Sequence, residues 1–358
     1  MAGQKILITG ASGYIGGSLI SLIQSQSLVD ASRIYALVRK DEHEAAVRKL
    51  GLHPLRFNLD DKAEVEEAIV RNEISVVVHF AGVLVWGPLE NFLDALVKVH
   101  KATGQTVHLA HTSGAKIFSS WAGSPPLKDG QGNYVPIFDD DKLYDHQKGQ
   151  KAVDFPPSQA AVDVNTRLLE KGDELGVKTY VIAPPIVYGK GTGFGNKISI
   201  QTVAIIKLGK ALKKVFQYSG DDSPWVFCHI EDCALLYARL ISEIVAGNSP
   251  PHGKRGGYYF AENGNIRWTD AYKAIARRMH QKGLIETDEV AKPTNDEVQR
   301  AAEVLGGSIP FLNFSVAGEC FIRGTNAKQN LGWKPTHDRA DFVASMSEEV
   351  DFVTEELG

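Results

Sequence analysis

The chain has 358 residues, 43% of them hydrophobic, and a formal net charge of −4, which is ordinary for one large globular domain or two interlocked ones. Its basic residues form no block and do not alternate with aromatic ones, so we expect no nucleic-acid partner. No apolar run approaches the roughly 18 residues of a membrane span, which excludes a membrane-spanning protein.

The cysteines and the first ten residues indicate in which cellular compartment the protein is expected. Three cysteines without a Cys-x-x-Cys pair are typical of a reduced intracellular protein. The opening MAGQKILITG lacks the apolar core of a signal peptide and is interpreted as a strand. We therefore predict a cytoplasmic protein, a monomer or a homodimer, whose partner is a small-molecule substrate. The histidines form no metal-binding pattern, and no metal is predicted.

Short apolar runs alternate with helical patterns from the first residues onward. Alternation of this kind predicts an α/β fold of the Rossmann type, a doubly wound parallel sheet with helices on both faces. The predicted strands are KILITG (5–10), RIYALVR (33–39), HPLRFNL (53–59), ISVVVHFAG (74–82), QTVHLAHTSG (105–114) and VKTYVIAPPIVYG (177–189).

The first turn carries the glycine pattern of a dinucleotide site, with Gly10, Gly13 and Gly16 between the first strand and the first helix. Gly10 permits the tight turn, Gly13 lets the backbone approach a pyrophosphate, and Gly16 allows close packing of helix on strand. The pyrophosphate is then expected at the helix N-terminus, where free N–H groups favour an anion.

The end of the second strand indicates which dinucleotide binds. An acidic residue at this point accepts hydrogen bonds from the ribose of NAD, whereas arginine suits the 2′-phosphate of NADP. The strand ends in Arg39 and Lys40, and the first acid is Asp41. With the Ser12 hydroxyl as a further donor, we predict NADP(H) as the cofactor. The alternative is that Arg39 and Lys40 are solvated charges.

Six motifs in this order resemble the extended or atypical short-chain dehydrogenase/reductases, which include dihydroflavonol-reductase-like and NAD-dependent epimerase/dehydratase-like proteins. The resemblance covers nearly the whole chain and implies their fold. The motifs are ITGASGYIGG, RFNLDD, VVVHFAG, APPIVYGKGTG, VFCHIEDCALLY and NAKQNLGWKPT.

The resemblance also implies further contacts with the cofactor. Asn58 stands where the family usually has aspartate, and Ala183 stands where it has arginine. Beyond the three glycines, Ser12, Arg39 and Lys40, the positions implied are Tyr14, Ile15, Asn58, Leu59, Phe80, Ala81, Gly82, Pro184, Ile186 and Val187.

By the same resemblance the chain divides into a nucleotide-binding domain and a smaller C-terminal substrate-binding lobe. Residues 1–188, with a return at about 229–247, are expected to bind the nucleotide. Residues 189–228 and 248–330 are expected to form the lobe, and 331–358 a C-terminal helix. Trp225, Phe194 and Trp268 fall in the lobe, where they line an apolar pocket or pack in the core.

A serine, a tyrosine and a lysine carry out the family's chemistry. The serine position follows the fifth strand, where Gly114 replaces the serine and either Ser113 or Thr112 is expected to substitute for it. Tyr144 and Lys148, in YDHQK, have the Tyr-x-x-x-Lys spacing and are the best candidates for the pair. A second placement, counted back from Pro184, puts the tyrosine and lysine positions at Pro157 and Ala161.

The second placement suits a helix that begins at Pro157, but it leaves both catalytic positions empty. In that interpretation YDHQK belongs to an acidic, polar loop, and Tyr144 and Lys148 are not a standard pair. Other acids and bases of residues 111–150 then become candidates, namely His111, Ser113, Tyr144 and His146.

Three functions follow from these residues. The leading one is an NADP(H)-dependent oxidoreductase that acts on a carbonyl or alcohol of a small metabolite, with a degraded Ser/Tyr/Lys set. The second is a non-redox isomerase or cyclase of secondary metabolism on the same fold. The third is a non-catalytic NADPH-binding regulator.

Overall fold

The secondary structure comes from a computed structural model, which describes residues 3–140, 142–220 and 223–358. The strands are β1 (Ile6–Ile8), β2 (Ile34–Leu37), β3 (His53–Leu55), β4 (Val76–His79), β5 (His108–Thr112), β6 (Leu127–Lys128), β7 (Tyr134–Val135), β8 (Ile137–Phe138), β9 (Lys178–Ala183), β10 (Ile186–Tyr188), β11 (Pro224–His229), β12 (Tyr258–Phe260), β13 (Gly264–Arg267) and β14 (Ile322–Arg323). The helices are α1 (Tyr14–Ser25), α2 (Asp41–Lys49), α3 (Lys62–Arg71), α4 (Gly87–Thr103), α5 (Leu143–Gly149), α6 (Pro157–Leu175), α7 (Gln201–Leu212), α8 (Ile230–Val245), α9 (Trp268–Gln281), α10 (Asn295–Val304), α11 (Ile309–Val316), α12 (Asn326–Asn330) and α13 (Arg339–Leu357).

Seven strands of the described residues form one parallel sheet in the order β12-β9-β5-β4-β1-β2-β3. This is the predicted doubly wound arrangement, which is therefore confirmed. Because all seven strands run in the same direction, their carboxyl ends share one edge of the sheet. In open sheets of this kind, ligands bind outside that edge, near the point where the strand order reverses.

Both faces of the sheet are covered, as a parallel sheet requires. Alternate residues of β1 point to opposite layers: Leu7 belongs to one apolar cluster, while Ile6 and Ile8 belong to the other. Helices α1 and α8 pack together in the second layer, and α3, α4 and α6 make contacts in the first. The central strands are therefore apolar on both sides.

The predicted sixth strand, 177–189, is two strands in the structure. Residues of β9 join the large sheet, whereas β10 pairs with β11 in a separate three-stranded sheet. Pro184 and Pro185 separate the two. A proline has no backbone N–H to donate to a ladder, so the strand cannot continue through them.

Two further predictions need correction. The predicted third strand is only three residues long, because β3 ends at Leu55 and its partner β2 ends at Leu37. The YDHQK stretch is helical rather than a loop: α5 spans Leu143–Gly149, and Leu143 and Gln147 are buried.

In the described part of the chain, no helix is both long and apolar enough to cross a bilayer.

A smaller sheet and the helices near it, which we name the second body, lie outside the large sheet. Strand β13 completes the small sheet with β10 and β11, and α7, α9, α10, α11 and α13 pack around it. Between β5 and α6 lies an insertion, residues 119–150. Its strand β8 pairs with β14, which ties it to the C-terminal part of the chain.

Candidate active site at the carboxyl edge of the sheet

The turn between β1 and α1 has the geometry that a dinucleotide requires. Gly10 has a φ of 63°, a left-handed conformation that favours glycine. A Cβ there would lie 2.9 Å from the Cβ of Phe80. A Cβ on Gly13 would lie 3.0 Å from the carbonyl oxygen of Gly10, and one on Gly16 would clash with the same oxygen. The turn therefore tolerates no side chain at these positions.

The N-terminus of α1 is open to an anion. Gly13 is its N-cap, and neither a side-chain cap nor an acidic residue occurs in its first turn. Unpaired N–H groups and the helix dipole attract negative charge at such an end. The turn and the helix end together fit the pyrophosphate of a dinucleotide.

Residues 189–197, which we name the glycine-rich strap, pack against this turn and the first turns of α1. The Asn196 N–H donates to the Ser12 carbonyl oxygen at 2.9 Å, and the Tyr14 hydroxyl donates to the Gly189 carbonyl oxygen at 2.5 Å. A Cβ built on Gly193 would lie 2.6 Å from the Cα of Gly17. The strap and α1 therefore meet backbone to backbone.

Charges at the end of β2 leave one cation without a partner. Arg39 is exposed and has no hydrogen bond or ion pair with any residue that the structure describes. Lys40 pairs with Glu42 at 3.2 Å. The first acid, Asp41, is bound to Arg56, so its carboxylate is already neutralised.

The segments that follow β3 and β4 lie at the same edge of the sheet. The Asn58 N–H donates to Glu64 at 2.7 Å, and the Leu59 carbonyl oxygen accepts from Asn91. Phe80 packs against Gly10 and, with ring centroids 4.7 Å apart, against Tyr237. Ala81 and Gly82 follow, with Gly82 at a φ of 81°.

The ends of β5 and β9 bring the serine position beside the predicted nicotinamide segment. The Ser113 N–H donates to the Ile182 carbonyl oxygen at 2.7 Å, and the Ala115 N–H donates to the Pro184 carbonyl oxygen at 2.9 Å. Ile186 and Val187 continue into β10. Gly114, in the serine position, therefore lies directly beside Pro184.

Two buried polar groups near this point lack partners. Among the described residues, neither ring nitrogen of His111 has a hydrogen-bond partner, and the Ser113 hydroxyl has none either. Unsatisfied buried groups commonly mark a place for a ligand or water. His79 packs against His111 at 5.9 Å between ring centroids, and its Nδ1 bonds the Thr9 hydroxyl at 2.8 Å. Burial lowers the pKa of His79 to about 4 and that of His111 to about 3, so both rings are neutral at pH 7.

The helix expected in the second placement of the tyrosine and lysine positions is present. Helix α6 begins at Pro157, as predicted, and Ala161 is fully buried one turn later. Neither residue can donate or accept a proton through its side chain.

Tyr144 and Lys148 lie together on α5, but they face the middle of α6. The Glu170 carboxylate accepts a hydrogen bond from the Tyr144 hydroxyl and another from the Lys148 ammonium at 2.5 Å. Glu170 follows Ala161 by nine residues, about 13.5 Å along a helix axis, and α6 runs away from the carboxyl edge of the sheet. Burial and the Glu170 carboxylate raise the pKa of Tyr144.

His146, another predicted acid or base, also lies outside the group at the sheet edge. Its Nε2 bonds the Ser124 hydroxyl at 2.7 Å, within the insertion. Burial lowers its pKa. The structure therefore brings His111 and Ser113 to the sheet edge and leaves Tyr144, His146 and Lys148 on α5.

Lys116 is a charged group near this point that the sequence patterns missed. It lies in the 3₁₀ turn Ala115–Phe118, directly after the serine position. Its ammonium donates to the carbonyl oxygens of Phe314 and, at 2.9 Å, Ser315. Burial lowers its pKa to about 7. A lysine between apolar residues in AKIF was the available signal, since lysine is rarely buried without a partner.

A second cluster lies at the N-terminus of α8, although no metal site was predicted. Ligand atoms of His229, Glu231 and His337 lie within 4.8 Å of one another. The two imidazoles are stacked, with centroids 3.8 Å apart. The His229 Nδ1 accepts from the Glu231 N–H at 3.4 Å, and the His337 Nδ1 bonds Asp232 at 2.8 Å.

The three aromatic residues considered for a pocket have different roles. Trp225 and Trp268 are fully buried and pack on each other with centroids 5.0 Å apart, so both belong to the core. Phe194, on the glycine-rich strap, packs edge-on against His43 of α2 at 5.7 Å.

Comparison with known proteins gives the same fold. The UDP-glucose 4-epimerase of Bifidobacterium longum, solved with NAD+ and UDP, superimposes with a TM-score of 0.62 at 15% identity, covering 98% of each chain. The L-threonine dehydrogenase of Phytophthora infestans gives 0.60 at 15% identity, covering 98% of this chain and 99% of that one.

At the sequence level, the oxidase ucsJ of an Acremonium species is 26% identical in an alignment of 352 positions that covers 93% of each chain. The NAD dependent epimerase/dehydratase family matches residues 6–253, more than half of the chain. The resemblance drawn from the six motifs is thereby confirmed. The protein belongs to the NAD dependent epimerase/dehydratase family of enzymes, for which a nicotinamide dinucleotide is the cofactor.

Proposed function

We propose that this protein is an NADP(H)-dependent oxidoreductase that interconverts a carbonyl and an alcohol on a small, partly aromatic or alicyclic metabolite. The glycine turn and the open N-terminus of α1 support the dinucleotide. Family membership and the sequence similarity to an oxidase support redox chemistry. We further propose that it works in the cytoplasm, where buried thiols such as Cys228 and Cys320 remain reduced.

The proposal of NADP(H) rather than NAD(H) rests on the exposed, unpaired guanidinium of Arg39. The neighbouring charges are already paired, since Lys40 contacts Glu42 and Asp41 contacts Arg56. Arg39 is therefore free to bind a 2′-phosphate with two N–H groups. Asp41 is poorly suited to a ribose hydroxyl while its carboxylate is bound to Arg56.

The bound cofactor would supply or accept a hydride at its nicotinamide ring. The chain's own part is to hold that ring and the substrate oxygen in place. The backbone N–H groups at the start of α1 would hold the pyrophosphate. The segment from Pro184 to Val187 would lie along the nicotinamide, and the Ser113 hydroxyl is free to bind a substrate oxygen.

Titration calorimetry with NADPH and NADH tests the cofactor. We expect the wild type to bind NADPH more tightly, and Arg39→Ala to lose most of that preference. One charge-assisted contact contributes about 1.5–3 kcal/mol, or about 10- to 100-fold in affinity. Arg48→Ala is the matched control, because Arg48 is exposed nearby but already paired with Glu44 at 2.8 Å. Tighter binding of NADH by the wild type would contradict the assignment.

A second candidate is a non-redox isomerase or cyclase on the same fold. It is favoured by the absence of acid–base side chains at Gly114, Pro157 and Ala161. Turnover with a panel of probe carbonyls, including benzaldehyde and 2-hydroxycyclohexanone, separates the two candidates. Stoichiometric loss of NADPH supports the oxidoreductase, whereas product formation without net loss of NADPH supports the isomerase or cyclase.

A further inference from the structure

Lys116 is linked through the Phe314 ring to the chain segment that carries the other empty catalytic positions. It follows the serine position, Gly114, by two residues, and its ammonium lies 4.7 Å from the centroid of the Phe314 ring. That ring stacks on Phe155 with centroids 4.5 Å apart. Phe155 precedes the tyrosine position, Pro157, by two residues. Lys116 and Phe155 therefore both contact Phe314, and each lies two residues along the chain from an empty position.

The surroundings of the Lys116 ammonium contain no counter-ion. Its polar partners are the carbonyl oxygens of Phe314 and Ser315, at the C-terminal end of α11. No charged group of the described residues acts on its pKa, which burial alone lowers. A neighbouring titratable group is the Cys320 thiol, which donates to the Ala115 carbonyl oxygen at 3.4 Å, and burial raises the pKa of that thiol.

This arrangement keeps both carbonyl contacts whether the nitrogen is charged or neutral. An ammonium has three N–H groups, and the carbonyl oxygens of Phe314 and Ser315 take two of them. The third position is an N–H in the charged form and a lone pair in the neutral form. Loss or gain of one proton therefore leaves both contacts to α11 intact and changes only the third position.

We propose that Lys116 is the catalytic acid–base residue of this site, in place of the family's tyrosine. The inference rests on the proposed oxidoreductase function. In reduction, a hydride from the cofactor forms the new C–H bond at the carbonyl carbon while the C=O π bond breaks. The oxygen takes a proton from the Lys116 ammonium, which becomes a neutral amine and regains its proton from water. Oxidation of the alcohol reverses each step.

The pKa of about 7 that burial gives Lys116 suits this role. Proton transfer at neutral pH is most effective when the pKa of the catalytic group is near the working pH. The sign follows from the charge: the ammonium is the acid in reduction and is lost as the pH rises above about 7. The rate of carbonyl reduction should therefore fall at alkaline pH, and the rate of alcohol oxidation should rise.

Kinetics of three variants test the role. Lys116→Met removes the proton, and Lys116→Arg keeps donors for the carbonyl oxygens of α11 but does not deprotonate. Lys128→Met is the matched control, since its ammonium also lies over a ring, that of Tyr134 at 4.6 Å, but in an exposed hairpin.

With NADPH and whichever probe carbonyl the wild type reduces, we expect Lys116→Met to lower kcat by about 10²–10⁴, with NADPH affinity within about twofold. Lys116→Arg should lose the fall in rate near pH 7, and Lys128→Met should match the wild type. A loss of less than about threefold in Lys116→Met would overturn the proposal. So would a wild-type pH profile that Lys116→Arg leaves unchanged, because the lysine would then only pin α11.

A labelling experiment keeps this proposal separate from the proposed function. Trace acetic anhydride, applied to the wild-type protein from pH 5 to 11, reports the titration of each lysine by mass spectrometry. Lys116 should titrate near pH 7. Titration of Lys116 near pH 10.5 overturns the acid–base role even if NADPH is consumed. Titration near pH 7 supports it, and a wild type that then consumes no NADPH with any carbonyl refutes the oxidoreductase alone.

Discussion

At the scale of single residues, the Glu170 carboxylate determines what Tyr144 and Lys148 can do. It accepts from both side chains, so each is already engaged away from the sheet edge. A catalytic tyrosine needs its pKa lowered toward neutrality, whereas burial and Glu170 raise the pKa of Tyr144. The charge of Lys148 is paired with the Glu170 carboxylate, so it does not stabilise a phenolate of Tyr144.

We therefore expect Tyr144→Phe and Lys148→Ala each to change turnover of the probe carbonyl by less than about threefold. Loss of a working acid–base group would instead lower the rate by a factor of about 10²–10⁴. Steady-state kinetics with NADPH measure this, and Lys116→Met is the comparison variant. A hundredfold loss in both variants, with unchanged NADPH affinity, would establish Tyr144 and Lys148 as the pair and remove the need for Lys116.

Sequence patterns reach some of these residues better than others. The glycine turn is predictable because the spacing of Gly10, Gly13 and Gly16 follows from backbone sterics alone. Lys116 is not, because its importance depends on α11, whose carbonyl oxygens come almost 200 residues later in the chain. The spacing of Tyr144 and Lys148 gives no sign of Glu170, which is the residue that decides their role.

At the scale of elements, the carboxylate of Asp139 joins three segments that are distant in sequence. It follows β8 and accepts the N–H groups of Phe260 at 3.0 Å, Thr325 at 2.6 Å and Asn326 at 3.1 Å. The insertion, the edge strand β12 and the start of α12 therefore share one acceptor. Burial raises the pKa of Asp139, while these hydrogen bonds act in the opposite direction.

Asp139→Ala should lower the free energy of unfolding by about 2–4 kcal/mol, because each buried donor left without a partner costs about 1–3 kcal/mol. Urea unfolding at pH 7 measures the change. Asp129→Ala is the control: Asp129 accepts the N–H groups of Gln131 at 2.8 Å and Asn133 at 2.9 Å, but water can replace it in that exposed turn. Equal losses in the two variants would show that the Asp139 contacts do not join the segments.

Elements with a strong local pattern were predictable, and those made by distant partners were not. Pro157 marks the start of α6 because proline suits the first helical position. The two-residue strands β8 and β14 have no pattern of their own and exist only because they pair with each other. The seven residues of α5 are too few to show a helical period, and burial of Leu143 and Gln147 holds them in place.

At the scale of the whole molecule, the division into a nucleotide domain and a lobe remains our proposal, with one change of detail. Helix α8 returns to pack on α1, which supports the assignment of about 229–247 to the nucleotide domain. Strand β12, however, is an edge strand of the large sheet, although it falls within 248–330. The lobe therefore excludes this strand.

The two bodies meet where Gly193 of the glycine-rich strap rests on Gly17 of α1, and this contact makes the two positions thermodynamically coupled. A Cβ on Gly17 would lie 3.1 Å from the Cα of Gly193, and one on Gly193 would lie 2.6 Å from the Cα of Gly17. Either methyl group must push the same two backbones apart, at a cost of about 1–3 kcal/mol.

Once the backbones have separated, the second methyl group meets a gap that is already open. In a double-mutant cycle, Gly17→Ala and Gly193→Ala together should therefore cost less than the sum of the two, by about 0.5–3 kcal/mol. Gly130→Ala, where a Cβ would meet nothing within 4 Å, should add to Gly17→Ala without interaction. Strict additivity of Gly17→Ala and Gly193→Ala in urea unfolding would mean that the two bodies yield independently. Non-additivity would mean that neither glycine can change alone without loosening both bodies.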